Sequence, residues 1–158
     1  MNTLIVYASK SGTTEKCVNL LKQELKDIHT ANLQEESVNI DDYDIVVIGG
    51  AIRYGRLHKK VHQFIEENLP QLLQKDVALF ICCGFPTEQH FTDNFPPELL
   101  KHAFIKEIFG GELNLESLSF FEKVIAKMAM RSAKTEEKPK ILLDNIDHFV
   151  HEVQMHVH

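Results

Sequence analysis

Hydrophobic residues in this chain follow two alternating patterns, continuous β-branched runs and helical spacing. The continuous runs cover Thr3 to Ala8, Asp44 to Gly50 and Val77 to Cys83. Runs of this kind are typical of central strands that are buried on both faces of a parallel sheet. Weaker strand patterns lie at Thr30 to Leu33 and at Ile105 to Leu113. Together these segments predict five strands.

Helical spacing of apolar residues appears between the predicted strands. It predicts a helix from Thr14 to Asp27 and another from Leu57 to Leu69, which Pro70 should end. A short helix is expected from Pro97 to Phe104, and a final amphipathic helix from Lys140 to Val153. Strands that alternate with helices predict an α/β fold, a three-layer sandwich with a parallel sheet.

The composition is that of an ordinary globular protein and suggests a single domain over residues 1–158. The chain is 44% hydrophobic and 25% charged, and its formal net charge of −6 argues against a nucleic-acid partner. It has no apolar run near the roughly 20 residues that a membrane span needs. The first residues lack the pattern of a signal peptide, and three cysteines suggest free thiols, so we expect a cytoplasmic protein.

The candidate chemistry lies in the loops that follow the predicted strands, since open parallel sheets bind ligands beyond the carboxyl ends of their strands. The first such loop combines four hydroxyls with one lysine and one glycine just before a helix. Its residues are Ser9, Lys10, Ser11, Gly12, Thr13 and Thr14. Hydroxyl and N–H donors at a helix start can bind a phosphate, although they can also simply cap the helix. The loop lacks the glycine pattern of nucleotide P-loops and of dinucleotide folds.

This loop resembles the phosphate loop of flavodoxins, [ST]-x-[ST]-G-x-T, and it directly follows the first strand as it does in that family. The resemblance implies a flavodoxin-like sheet of five parallel strands in the order 2-1-3-4-5. It also implies FMN as the cofactor, with its phosphate on this loop. The flavin ring would then lie between the loops that follow the third and fourth strands.

The same resemblance implies a set of residues around the flavin ring. Tyr54 would stack on the ring, Gly55 would supply backbone flexibility, and Phe85 would form a second aromatic wall. An ordinary glycine-rich turn and a Phe-Pro packing turn are the alternatives for these two loops. The implied ring-binding residues are Ala51, Ile52, Arg53, Tyr54, Gly55, Cys83, Gly84 and Phe85.

Two further segments resemble the flavodoxin-type protoporphyrinogen oxidases, the menaquinone-linked enzymes of haem synthesis. Residues 52–58 are similar to the I-R-Y-G-x-x-H stretch of that family, and residues 121–128 to its F-x-K-x-I-x-K-M segment. The likeness implies an oxidoreductase that passes electrons from a reduced tetrapyrrole through FMN to a quinone. It does not extend to the residues from Cys82 to Phe95.

An aromatic and basic segment, residues 117–131, lies outside the alternation of strands and helices. It would either pack on the core or dock a porphyrinogen, a quinone or a membrane surface, which would make the protein peripheral to the inner face of the membrane. Arg53, Arg56 and Lys59 would add charge that binds carboxylates.

Two other functions stay open on the sequence alone. The first is a flavodoxin proper, an FMN electron carrier whose partners are redox proteins and which has no substrate of its own. The second is a flavin-free interaction module that retains the fold. His58 and His62 have the spacing of zinc ligands, but no third ligand accompanies them, and we expect no metal site.

Overall fold

The computed structural model describes residues 2–9, 12–84, 87–111 and 140–157. These residues form five strands and five helices. The strands are β1 (Thr3–Tyr7), β2 (Ile28–Asn32), β3 (Ile45–Ala51), β4 (Asp76–Cys82) and β5 (Ile105–Gly110). The helices are α1 (Gly12–Glu24), α2 (Lys59–Leu72), α3 (Gln89–Asn94), α4 (Pro97–His102) and α5 (Leu143–Val157).

The five strands form one parallel sheet in the order β2-β1-β3-β4-β5, which confirms the predicted fold. In register, Val6 of β1 lies between Ala31 of β2 and Ile48 of β3. Ile48 in turn pairs with Leu79 of β4. This register brings the carboxyl ends of the central strands to the same edge of the sheet.

The sheet is covered on both faces, so each central strand alternates its apolar side chains between two cores. Leu4 and Val6 face the core that includes α2, α3 and α4, and Ile5 faces the core with α1 and α5. In the second core, Phe80 stacks on Phe109 with ring centroids 4.6 Å apart. The continuous apolar runs of β1, β3 and β4 are therefore explained by burial on both faces.

Two helical predictions differ from the structure. Pro70 does not end α2, which continues to Leu72. Pro70 lacks an N–H and removes one hydrogen bond of α2, but only two helical residues follow it, and the fully buried Leu72 side chain holds this last turn against the core. The helix α3 has no counterpart among the predicted elements, because six residues are too few to show helical periodicity.

The close packing of β3 on Phe80 yields a prediction for two neighbouring glycines. A Cβ at Gly49 would overlap the Phe80 ring, whereas one at Gly50 would lie at ordinary contact distance, 3.6 Å from Leu57. We expect G49A to lower the free energy of unfolding by about 1–3 kcal/mol, as overpacking of cores does. G50A is the matched control and should change it little. Urea unfolding of both variants tests this, and equal stabilities would contradict the packing.

Candidate functional site

The candidate site is the sheet edge where β1, β3 and β4 end. The strand order reverses between β1 and β3, because β2 and β3 lie on opposite sides of β1. Ligands of open α/β sheets bind in the crevice at such a reversal, outside the carboxyl ends of the strands. Three loops meet at this edge, and they are the ones that the sequence singled out.

The loop after β1 lies at the start of α1. Ala8 is buried, and Ser9 is half-buried. The helix begins at Gly12, which is exposed, and Thr13 is half-buried. The helix N-terminus therefore lies directly beyond the end of β1, where its unpaired N–H groups favour an anion. The predicted phosphate-loop residues Lys10 and Ser11 lie outside the described residues.

Thr14 carries a buried hydroxyl in the first turn of α1. Its side chain is fully buried, and its Oγ1 has no hydrogen bond of normal geometry to a described residue. A weak hydrogen bond from the Thr14 hydroxyl to the Cys82 sulfur only partly offsets the rise in the pKa of that thiol, and because sulfur is a weak acceptor the hydroxyl keeps unmet capacity. A buried polar group without a partner costs about 1–3 kcal/mol, so this hydroxyl fits a ligand that it would bond.

The loop after β3 closes as a tight two-residue turn. Arg53 N–H donates to Arg56 O at 2.9 Å, and Arg56 N–H donates back to Arg53 O at 3.0 Å. Between them, Tyr54 and Gly55 both have positive φ, 54° and 78°. This is the pattern of a type I′ turn, in which a non-glycine residue such as tyrosine is strained. The turn leaves the Tyr54 side chain 61% exposed, a free aromatic face at the edge of the sheet.

The turn also places two arginines on the same side. Arg53 and Arg56 are directly opposed in an antiparallel bridge, and opposed residues project their side chains to one face. Two guanidinium groups on one face attract an anion. The face next to Tyr54 is therefore chemically suited to a carboxylate or a phosphate.

Both ends of this turn are fixed to neighbouring elements. On one side, Ile52 N–H donates to Cys82 O at 2.9 Å. On the other side, Leu57 N–H donates to Asn94 Oδ1 of α3 at 3.0 Å. His58 then caps α2, since its Nδ1 accepts from Lys60 N–H at 3.0 Å.

The loop after β4 runs beside the other two. Cys83 and Gly84 are half-buried there, and Cys83 N–H donates to Gly110 O at 2.7 Å. A Cβ at Gly111 would lie 3.2 Å from the Gly84 backbone nitrogen, so this loop is packed tightly against the end of β5. Phe85, the predicted second aromatic wall, lies outside the described residues.

A groove of about 350 Å³ lies next to this edge, between α2 and the segment after β2. It is lined in part by Glu35, Glu36 and Glu67, with one lysine, Lys60. Burial raises the pKa of Tyr7 at the end of β1, and the carboxylates of Glu15 in the first turn of α1 and of Glu35 and Glu36 raise it further. An acidic groove does not suit a phosphate, so the hydroxyl loop remains the candidate anion site.

Within the described residues, no group of three or more His, Cys, Asp or Glu side chains is arranged to hold a metal ion. None of the described helices is long and apolar enough to cross a membrane.

The amino-acid sequence of this chain matches a family model. The model described as "Flavodoxin domain" matches residues 4–140. The chain belongs to the flavodoxin domain family. Curated relatives include the Escherichia coli K12 protein named protoporphyrinogen IX dehydrogenase [quinone], which is 34% identical over 85 residues. That match covers 51% of this chain and spans about half the length of the relative, 47%.

Solved flavodoxin-like structures agree with the fold at low sequence identity. The Fusobacterium nucleatum flavodoxin bound to flavin mononucleotide has a TM-score of 0.53 at 16% identity, and the match covers 99% of each chain. A Lactobacillus acidophilus flavoprotein in complex with FMN has a TM-score of 0.51 at 16% identity, over 70% of this chain and 91% of its own. At such identities these neighbours establish the fold.

The structure brings the described candidate residues to one edge of this flavodoxin domain, and their binding roles remain predictions. Candidates from all three loops lie there; they are Ser9, Gly12, Thr13, Thr14, Ala51, Ile52, Arg53, Tyr54, Gly55, Cys83 and Gly84. Segment 117–131 lies outside the described residues, like Lys10, Ser11 and Phe85. Asn94 was missed by the sequence reasoning, because its bonds reach residues 37 and 39 positions earlier and no local motif marks it.

The thiol beneath this edge yields a prediction about pH. A hydrogen bond with Cys17 and burial raise the pKa of Cys82 well above its usual value. Above the ordinary thiol pKa of about 8.5, the unfolded chain loses this proton while the folded chain keeps it. The free energy of unfolding should therefore fall as pH rises past that value. In C82A the decline should be shallower, by up to about 1.4 kcal/mol per pH unit, in urea unfolding at several pH values. An identical slope in C82A would contradict this.

Proposed function

We propose that this flavodoxin domain is an FMN-dependent oxidoreductase, with the cofactor at the edge formed by the ends of β1, β3 and β4. The observation that carries the proposal is the buried Thr14 hydroxyl at a helix N-terminus, which has no partner of normal geometry among the described residues. The exposed Tyr54 lies on the neighbouring loop of the same edge. One feature suits a phosphomonoester and the other a flat ring, and FMN combines both groups.

The chemistry of the donors supports FMN in particular. The hydroxyls and N–H groups of residues 9–14 would hold the phosphate, and the Tyr54 ring would contact the flavin. Two solved proteins of this fold are described in complex with FMN or bound to flavin mononucleotide. When bound, FMN supplies the redox chemistry, and the protein supplies binding, orientation and electrostatics.

The finer proposal concerns the electron donor and acceptor. The name of the curated relative, protoporphyrinogen IX dehydrogenase [quinone], supports oxidation of a reduced tetrapyrrole with a quinone as acceptor. Porphyrinogens of this kind carry carboxylate side chains, and the opposed Arg53 and Arg56 offer them a doubly cationic face beside Tyr54. These arginines would hold the carboxylates of the substrate beside the flavin.

An electron carrier without its own substrate is the second candidate. Its support is the likeness in fold to the Fusobacterium nucleatum flavodoxin, which extends over 99% of both chains. The two candidates differ in one respect that can be measured, since a carrier would not oxidise a small substrate at a useful rate.

The proposed function is tested in two steps with the full chain. The purified protein should be yellow, with flavin absorbance that is released on denaturation and identified as FMN by chromatography. With FMN bound, it should oxidise protoporphyrinogen when a soluble quinone is supplied, followed by porphyrin fluorescence against an enzyme-free control. A yellow protein without this activity would favour the carrier, and a colourless protein that does not take up FMN would refute both.

Thr14 offers a sharp test of the phosphate site. In T14V, FMN affinity should fall by about tenfold, because one hydrogen bond to a charged group is lost. The apoprotein should be no less stable than wild type, since a methyl replaces a buried hydroxyl that has no partner of normal geometry among the described residues. Quenching of FMN fluorescence measures the affinity, and thermal unfolding measures the stability.

A loss of apoprotein stability in T14V with unchanged FMN affinity would show that the hydroxyl is a structural group. T92V is a suitable control, because the exposed Thr92 hydroxyl bonds only locally, to Gln89 O at 3.1 Å. It should change neither quantity.

Arg56 offers a test of the substrate. In R56Q, the KM for protoporphyrinogen should rise by about threefold to tenfold, because one charge-assisted contact to a carboxylate is lost at an exposed site. The KM for an uncharged quinone should be unchanged. K22Q is the matched control, since Lys22 lies in the last turn of α1 at the opposite edge of the sheet. Equal effects of R56Q on both substrates would contradict a carboxylate-binding role.

A further inference from the structure

Asn94 is a buried polar side chain that joins α3 to the loop after β3. It is only 4% exposed, and it lies at the last position of α3. Its Oδ1 accepts from Leu57 N–H at 3.0 Å. Its Nδ2 donates to Gly55 O at 2.9 Å and to His90 O at 2.8 Å. One amide therefore bonds two backbone groups of the loop and one of its own helix.

The orientation of this amide is determined by its partners. Leu57 presents an N–H, which requires an acceptor, and the Gly55 and His90 carbonyls each require a donor. An asparagine amide is the side chain of this size that offers one acceptor and two N–H donors. An aspartate of the same shape would turn a carboxylate oxygen toward two carbonyl oxygens. The three partners of this side chain therefore favour asparagine over aspartate, although the two side chains have the same shape.

The bonds to Gly55 and Leu57 hold a turn that is unfavourable by itself. Tyr54 has positive φ, and the two arginines that flank the turn are opposed like charges. A loop with these features keeps its shape only when its surroundings hold it. Asn94 bonds the backbone on both sides of Arg56, next to the exposed Tyr54.

The helix that carries Asn94 is itself anchored in the core. Phe91 and Phe95, each 3% exposed, flank Asn94 in sequence and stack with ring centroids 6.0 Å apart. Both belong to the core that also includes Leu57, Val61 and Leu79. The core therefore fixes the position of α3. Through Asn94, α3 in turn fixes the position of the turn.

We propose that Asn94 is a positioning residue that keeps the Tyr54–Gly55 turn in the geometry that receives the flavin ring. This inference rests on the proposed function, because it assigns the ligand of the turn. A turn that is already ordered binds its ligand without the cost of ordering on binding. Loss of Asn94 should thus weaken FMN binding through the backbone of the turn, which Asn94 bonds at Gly55 and Leu57.

The test compares three variants of the full chain by FMN titration across pH, each expressed relative to wild type at the same pH. N94A should bind FMN about tenfold more weakly at every pH, since the bonds to the turn are gone. N94D should be at least as weak at pH 8. It should regain affinity as the pH falls, because burial raises the pKa of the introduced carboxyl and the protonated form can donate to one carbonyl.

N68A is the matched control. Asn68 Nδ2 makes the same kind of bond, to Phe64 O four residues earlier at 2.8 Å, on a helix and without contact to the turn. Its relative FMN affinity should stay within about twofold of wild type. Because a buried carboxylate also destabilises the fold, FMN is titrated into N94D only at pH values where thermal unfolding shows the variant fully folded. Recovery of affinity within that range is then assigned to the turn. It also decides the matter if N94A proves too unstable to purify.

Each outcome has a clear meaning. FMN affinity in N94A and N94D equal to wild type at all pH values would overturn the inference and leave the proposed function intact. A similar loss in N68A, or a loss in N94D that does not recover at low pH, would also overturn it. If wild type does not bind FMN, the proposed function fails. The bonds from Asn94 to the turn would then be tested by hydrogen exchange, in which the Leu57 amide should lose protection in N94A but not in N68A.

Discussion

Parallel pairing of β3 with β1 on one side and β4 on the other is the constraint on which the candidate site depends. Ile48 pairs with Val6 and with Leu79, so three strands end at one edge in a shared register. Backbone hydrogen bonds and two-sided burial maintain this register, because a slip by one residue would turn every apolar side chain to the wrong core. The hydroxyl loop and the Tyr54 turn are neighbours only because these strands are.

Two buried polar side chains at this edge, Asn94 and Thr14, differ in whether their hydrogen bonds are made within the protein. Asn94 has its partners within the protein, and two of its three bonds hold a strained turn. The Thr14 hydroxyl is equally buried and has no partner of normal geometry among the described residues. A buried polar group with all its hydrogen bonds helps to specify the structure. A buried polar group without a hydrogen bond is unfavourable, and a ligand that bonds it gains affinity by removing this cost. The edge thus combines a turn that Asn94 already holds in place with a Thr14 hydroxyl that can still accept or donate a hydrogen bond to a ligand.

Most of the sheet could be predicted from the sequence, and the fine structure of the site could not. The apolar runs of β1, β3 and β4 reflect burial on two faces, which is a local property, and the strand order came from the loop motif at Ser9 to Thr14. In contrast, α3 is too short to show the helical spacing of apolar residues. Pro70 is tolerated inside α2 because Leu72 packs in the core. The partners of Asn94 are distant in sequence, so only the folded chain reveals its role.

The measurement that bears most directly on the site is a comparison of FMN with riboflavin, which lacks the phosphate, in calorimetric titrations of the apoprotein. If the loop from Ser9 to Thr14 holds the phosphate, FMN should bind at least about a hundredfold more tightly than riboflavin, since several hydrogen bonds to a charged group are lost together. The advantage should depend on the Thr14 hydroxyl. Equal affinities for the two flavins would contradict a phosphate site at the start of α1.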